Sequence, residues 1–298
     1  MPTSESTPVP SSNRKMSALE RAATTWPLAF LMNLWYNRHV KTSKKTDGGK
    51  VKKPKNVYIY GKHAIREALT ERPQIIERAF VAPHVDAPDI LNLFKKHRIQ
   101  TGTLSESGAT RDILEEASHQ GLVAQIDPEK LMIPFETWLT TLDVSTNPGL
   151  VLLDEVHDPQ NVGAVIRSAA AFGLAAILMP EHNQAQVTGA VVKVSAGMAF
   201  RMPLVRIGNV NQTVRALKEK GFWVYGLDMK GQPVEKESFE KPSLFILGNE
   251  AKGIREKTLE LCDIPLSIAM NARAESLNAA TAAAIVMHQW SVKNPTAL

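Results

Sequence analysis

From Leu244 the chain reads Leu-Phe-Ile-Leu and then halts at Gly248. Four apolar residues closed by a glycine suit a buried strand. Gly248 and Gly253 lack a Cβ, so backbone there can approach a ligand closely or take positive φ. Asn249, Glu250, Ser276 and Asn278 are polar groups that turns can aim inward, and Ser276 or Asn278 is a natural N-cap for an Ala-rich helix over Ala279–Trp290. Strand, glycine turn and capped helix together predict a small-molecule pocket at the C-terminal ends of parallel strands. They do not say which molecule.

A chain of 298 residues can bury a sizeable core in one or two domains. Its single cysteine, Cys262, rules out an intramolecular disulfide framework and points to a reducing, cytoplasmic setting, with the thiol read as a small residue near a strand. No Cys/His cluster has zinc-ligand spacing, so no metal is expected. A net charge of +5 permits polyanion binding without demonstrating it.

Residues 1–55 read as a basic, unfolded extension. Met1–Asn13 is Ser/Thr/Pro-rich, and Trp26–Tyr36 is an apolar patch too short to span a bilayer. Arg14, Lys15 and Arg21 precede that patch as in a signal peptide, but no small-residue cleavage site follows, which favours a partner-docking or poorly ordered segment. Arg38–Lys55 carries eight basic residues against Asp47 alone, either a solvated tail or a source of sequence-blind phosphate affinity.

Residues 56–127 alternate strand and helix: Val57–Tyr60, His63–Thr70, Arg78–Ala82, Ala87–His97, Ile99–Leu104, Gly108–Ala117 and Leu122–Ile126. The alternation predicts a small α/β domain with a mostly parallel sheet. His63 and His84 carry no partner motif and read as ordinary histidines. Residues 128–148 form a proline-containing linker with a short helix near Phe135–Leu142. Residues 149–298 alternate again, with strands at Leu150–Leu153, Ala175–Met179, Pro203–Arg206, Trp223–Leu227 and Leu244–Leu247, as in an α/β domain with a parallel sheet. Helices are expected over Val162–Phe172, closed by Gly173, over part of Ala185–Ala199, and over Val210–Lys220.

Asn161 stands at an expected N-cap. Arg167 lies in a helix otherwise built from Val162, Ala164, Val165, Ile166 and Ala169–Ala171, which predicts burial and hence an anionic partner, either Glu250 or an RNA phosphate. Two cofactor motifs are missing. No Gly-x-Gly-x-x-Gly follows a strand, and Gly248–Gly253 has P-loop spacing with Ile254 where the lysine belongs.

Asp158-Pro159-Gln160-Asn161-Val162-Gly163-Ala164-Val165-Ile166-Arg167-Ser168-Ala169, Leu247-Gly248-Asn249-Glu250-Ala251-Lys252-Gly253 and Glu275-Ser276-Leu277-Asn278 closely resemble, in order, the three motifs of SpoU/TrmH-type RNA 2′-O-ribose methyltransferases of the SPOUT superfamily. Lys193–Pro203 resembles the family's connecting segment, and the 56–127 domain, opening Tyr60-Gly61-Lys62-His63-Ala64, resembles its ribosomal-protein-like substrate-binding domain. The branch most resembled is the 23S rRNA guanosine 2′-O-methyltransferases. The resemblance implies an α/β fold whose C-terminal SPOUT domain carries a trefoil knot, a homodimer, an RNA substrate, no membrane, and S-adenosylmethionine as cofactor. It places cofactor contacts on Leu247, Gly248, Glu250, Ile268, Leu277 and Asn278, catalytic positions on Asn161, Arg167, Glu250, Ser276 and Asn278, and RNA contacts on Arg167, Lys193 and Arg201.

Two departures stand out. Ile268-Ala269-Met270 replaces the family's Ile-Pro-Met, and Asn271-Ala272 replaces a common glycine. Ala269 frees a φ that proline would fix, which is expected to weaken the cofactor's grip. Counting back from Ser276-Leu277-Asn278 selects Ile268 rather than the upstream Ile264-Pro265. Two other readings of the same motifs are a tRNA ribose methyltransferase and a non-catalytic RNA-binding assembly factor.

Overall fold

The computed structural model describes residues 57–107 and 119–298, all within one compact unit, Pro54–Leu298. The Trp26–Tyr36 patch, the basic Arg38–Lys55 run and the predicted Gly108–Ala117 helix lie outside the described residues.

Two sheets organise the unit. The smaller holds β1 (Val57–Tyr60), β2 (Ile76–Val81), β3 (Thr101–Thr103) and β4 (Leu122–Ile126), with α1 (Lys62–Glu71) and α2 (Pro88–Lys96) between them. Its order is β1-β4-β2-β3, and β4 runs antiparallel to both β1 and β2, while β2 and β3 are parallel. The expectation of a mostly parallel sheet is therefore corrected. Strand–helix alternation does set β1, β2 and β3 in one direction, but the last strand inserts at the centre in the other. Leu122, Val123, Ala124 and Ile126 are all wholly buried there, and periodicity within a strand carries no information about its direction.

The larger sheet is parallel throughout, in the order β11-β9-β10-β6-β7-β8-β5. It comprises β5 (Met132–Pro134), β6 (Gly149–Leu153), β7 (Ala176–Pro180), β8 (Leu204–Ile207), β9 (Trp223–Pro233), β10 (Ser243–Leu247) and β11 (Ile264–Ser267). Every residue of β6, β7 and β10 is buried, as apolar runs in a sheet covered on both faces must be. The predicted linker supplies the edge strand β5 and the short α3 (Phe135–Leu139). The remaining helices are α4 (Pro159–Ala171), α5 (Gly189–Val194), α6 (Val210–Glu219), α7 (Glu256–Leu259) and α8 (Ala279–Lys293). None of the described helices is long and apolar enough to cross a membrane.

Two local expectations change. Asp158, not Asn161, caps α4: its carboxylate accepts from the Gln160 N–H, and Pro159 occupies the first turn where its missing N–H costs nothing. Arg167 is exposed, and no Arg167–Glu250 bridge forms. The buried face of α4 is Val162, Val165, Ile166 and Ala169, and 3.6-residue periodicity turns Arg167 outward with Gln160 and Ala171. Gly173 does follow α4 in the left-handed region, at φ 72°.

The segment after α5 binds the smaller sheet's first helix. Arg201 pairs with Glu67 at 2.8 Å and Glu71 at 3.4 Å, the Arg72 Nε donates to the Phe200 carbonyl, and His63 Nε2 lies 3.2 Å from the Ala196 carbonyl. Arg201 is thus a clamp between the sheets. Glu67→Arg is expected to loosen this contact, seen as faster proteolysis within residues 127–131, which join the two sheets, at low salt, with the difference shrinking as salt screens the new repulsion.

Candidate active site

The motifs that lie far apart in sequence meet at the C-terminal edge of the large sheet. After β10, Gly248 turns the chain so tightly that a Cβ on it would lie 2.3 Å from the Gly253 carbonyl carbon and the Ile254 nitrogen. The glycine is needed for close approach of the protein's own backbone. Gly253 is needed for a different reason: its surroundings are open, but its φ is +71°. Asn249 closes the turn, its backbone exchanging hydrogen bonds with Gly253 and its Oδ1 accepting from the Ala251 and Lys252 N–H groups.

This turn delivers Glu250 to the start of α4. Glu250 Oε1 accepts from Asn161 Nδ2 at 3.0 Å and from the Asp158 N–H at 3.2 Å. Asn161, 5 % exposed, in turn accepts through Oδ1 from Asn278 Nδ2 at 2.8 Å. Asn278 uses its own Oδ1 to cap α8, accepting from Ala280 and Thr281 N–H. The relay Glu250–Asn161–Asn278 therefore joins all three motifs. Its polarity is forced, because an ionised carboxylate only accepts and a helix N-terminus only donates, so both amides have one possible orientation. Burial pushes the Glu250 carboxyl upward, but the Asn161 amide and the N–H groups of Glu250, Asp158 and His157 outweigh it and hold the group below its ordinary 4.5. The carboxylate form so favoured stabilises the fold above about pH 4.5, and that contribution is lost as pH falls through the depressed value.

Beside the relay lies a cleft of about 740 Å³, its mouth included, within the range of small-molecule sites. Leu247, Gly248, Glu250, Ile268, Ser276 and Leu277 all line it, as expected from the sequence. Asn278 does not line it. It is exposed and holds Asn161. Ile268, not Pro265, reaches the cleft. Arg167 and Lys193 are not among its lining residues; Lys193 Nζ sits 5.3 Å from the centre of the Tyr60 ring. The Ser276 side chain has no hydrogen-bond partner among the described residues and is available to a ligand.

One wall was not foreseen. Leu227, Asp228 and Met229 belong to a stretch of β9 that leaves its ladder with β11: Pro265 pairs with Gly226, and the next residue, Leu266, pairs with Gln232. The rule that ligands sit beyond the C-terminal ends of parallel strands, applied to the predicted strand ending at Leu227, would have marked this segment. Met229 is 71 % exposed and Met270 37 % exposed at the rim, apolar side chains placed where a ligand or partner can cover them.

With this geometry established, comparison with known proteins gives a consistent match. A family model described as SpoU rRNA methylase matches residues 148–288, and one described as RNA 2′-O ribose methyltransferase substrate binding matches residues 58–132. The 23S rRNA (guanosine-2′-O-)-methyltransferase RlmB of Photobacterium profundum is 33 % identical over 237 residues, covering 78 % of this chain and 96 % of that protein. The RlmB of Escherichia coli K12 is 32 % identical with the same coverage. Among solved structures, the SpoU methyltransferase AviRb from Streptomyces viridochromogenes superposes with a TM-score of 0.67 at 24 % identity, over 81 % of this chain and 90 % of that one. Shared sequence across both sheets, together with three motifs tied into one relay, places the chain in the SpoU rRNA methylase family.

Proposed function

We propose that this chain transfers the methyl group of S-adenosylmethionine to a ribose 2′-hydroxyl in RNA, at a guanosine of 23S rRNA, acting as a cytoplasmic homodimer. The observation that carries the reading is the Glu250–Asn161–Asn278 relay beside an open cleft. The relatives identical to the chain at about a third of the aligned residues are 23S rRNA guanosine 2′-O-methyltransferases, and AviRb binds AdoMet.

The cleft suits that cofactor. Leu227, Leu247, Leu266 and Leu277 offer apolar surface for a purine, and the Glu250 and Asp228 carboxylates favour a sulfonium cation. When bound, S-adenosylmethionine supplies an electrophilic methyl group. Glu250, held ionised, fixes Asn161 and the turn. Ser276 positions ligand at the cleft. Arg167 clamps the phosphate next to the target ribose, since a guanidinium hardly deprotonates in proteins, and that phosphate or a water takes the hydroxyl proton.

The dimer explains how Arg167 takes part. It lies on the exposed face of α4, outside its own cleft, and would act in the partner's. The same reading carries the trefoil knot expected of the family. On α8, Val292 is 56 % exposed on the same face as the exposed Thr281 and His288, where a second copy would pack.

Arg167→Ala is expected to change stability by no more than about 0.5 kcal/mol, as for an exposed residue, while transfer falls roughly 10²–10³-fold. Arg167→Lys with full activity would exclude both the bidentate clamp and a guanidine base. Mixing Arg167→Ala protein with Gly248→Ala protein is expected to restore activity through mixed dimers. Calorimetry with S-adenosylmethionine tests the cofactor: a chain that binds RNA but gives no heat with it would be a non-catalytic RNA-binding protein.

A further inference from the structure

A second concavity, of about 510 Å³, lies beyond the C-terminal ends of β6, β7 and β8, on the other side of Glu250 from the cleft. The two share a wall. Residues 154–158 line the one with Asp154 and Glu155 and hold Glu250 in the other through the His157 and Asp158 N–H groups, while Asn249 Nδ2 donates to the Glu155 carbonyl at 2.9 Å.

The chemistry of this second pocket is not that of a phosphate site. Its one cation, Arg255, is already spread across two carboxylates: Nε donates to Asp154 Oδ2 at 3.2 Å, and Nη1 lies 3.4 Å from Glu155 Oε1. Asp154 is fully buried, so that pair is fixed in place. Counting Asp154, Glu155 and Arg255, the local charge is negative, which repels a phosphate and suits a neutral ligand that presents donors. Neither the His182 ring nor the Asn183 amide has a hydrogen-bond partner among the described residues, and Glu155 keeps a second carboxylate oxygen. Pro180 and Val210 add apolar surface for a flat ring. Glu155 and Asn183 both hold left-handed backbone, at φ 65° and 55°, so two strained loops meet at the same hollow.

We infer that this pocket takes the nucleobase of the target nucleotide, a guanine by preference, while its ribose lies over the Glu250 wall facing the cleft. Glu155 accepts from the guanine N1–H and N2–H₂ edge, and Asn183 and His182 donate to O6 and N7. The inference rests on the proposed RNA methyltransferase reading and adds to it where the base goes.

Gly208 gives a clean test, because it lines the pocket, has no heavy atom within 4 Å of an added Cβ, and does not use positive φ. A 23S rRNA-fragment transcript carrying 6-thioguanosine is photo-crosslinked to the full-length protein without methyl donor, and the attached peptides are mapped. Crosslinks are expected within residues 180–183 or 208–211. Gly208→Phe should remove them and raise the KM for RNA about tenfold, leaving the affinity for S-adenosylmethionine and the melting temperature unchanged. Asn183→Gly, which keeps the left-handed backbone, should weaken crosslinking without filling space. Crosslinks confined to other segments, or a KM unmoved by both variants, would overturn the inference. Failure of the wild-type protein to methylate the transcript would instead bring down the functional reading, and this inference with it.

Discussion

Gly248→Ala should abolish methyl-donor binding and reduce transfer at least about 100-fold, the scale expected when a site is displaced by an ångström. The added Cβ would lie 2.3 Å from two backbone atoms of the same turn, and neither can rotate away as a side chain would. Overpacking costs about 1–3 kcal/mol where neighbours can adjust, and this contact belongs at or above the upper end. Gly253→Ala is the control. It meets no atom, and only its φ of +71° opposes the change, a cost of about 1–2 kcal/mol. Thermal melts and calorimetry on both variants check the difference. Equal, mild effects would mean that the turn is slack and that Gly248 is not what closes it.

Asn161→Asp carries the other large effect. The substitution keeps shape but sets a second carboxylate against Glu250 Oε1, where the Asn161 amide now donates at 3.0 Å. Two carboxylates so placed cannot both ionise, so the pair retains a proton to a higher pH than either group alone. A group whose pKa is raised on folding stabilises below its unfolded value and loses that contribution as pH rises through the folded one. The variant should therefore melt closest to wild type near pH 4–5 and furthest below it at pH 7–8, by about 1–3 kcal/mol for a buried hydrogen bond turned repulsive. The wild type behaves oppositely at this site, since its depressed Glu250 loses stabilisation only as pH falls below about 4.5. Transfer at neutral pH should drop about 100-fold, because Asn278 and the turn both take their positions from Asn161. Parallel pH–melting curves check this. A deficit that does not depend on pH would place Asn161 outside the relay.

Much of this was legible from the residues. Apolar runs located β6, β7 and β10, Ser276 and Asn278 were the two candidate caps of which Asn278 is the one that serves, and the glycine turn after Leu247 pointed to the cleft. What escaped has identifiable physical causes. Arg167 was expected to be buried because its neighbours are small and apolar, yet a helical wheel sets it opposite Val162, Val165 and Ala169. Asn161 resembled a cap, although Asp158-Pro159 is the stronger start signal. The excursion of β9 over Leu227–Gly231 and the insertion of β4 depend on partners distant in sequence, which local periodicity cannot encode. The pairing of Arg201, expected to meet RNA, with Glu67 and Glu71 across the two sheets likewise joins residues more than a hundred positions apart.

The central claim is that the relay positions a ribose hydroxyl against a methyl donor, and the identity of the methylated atom tests it most directly. Full-length protein is incubated with isotopically labelled S-adenosylmethionine and unmodified 23S rRNA, and the RNA is digested to nucleosides for mass spectrometry. The account predicts label in 2′-O-methylguanosine from one position, absent with Asn161→Asp. Label on a base, or no labelled nucleoside from a protein that binds both cofactor and RNA, would contradict it.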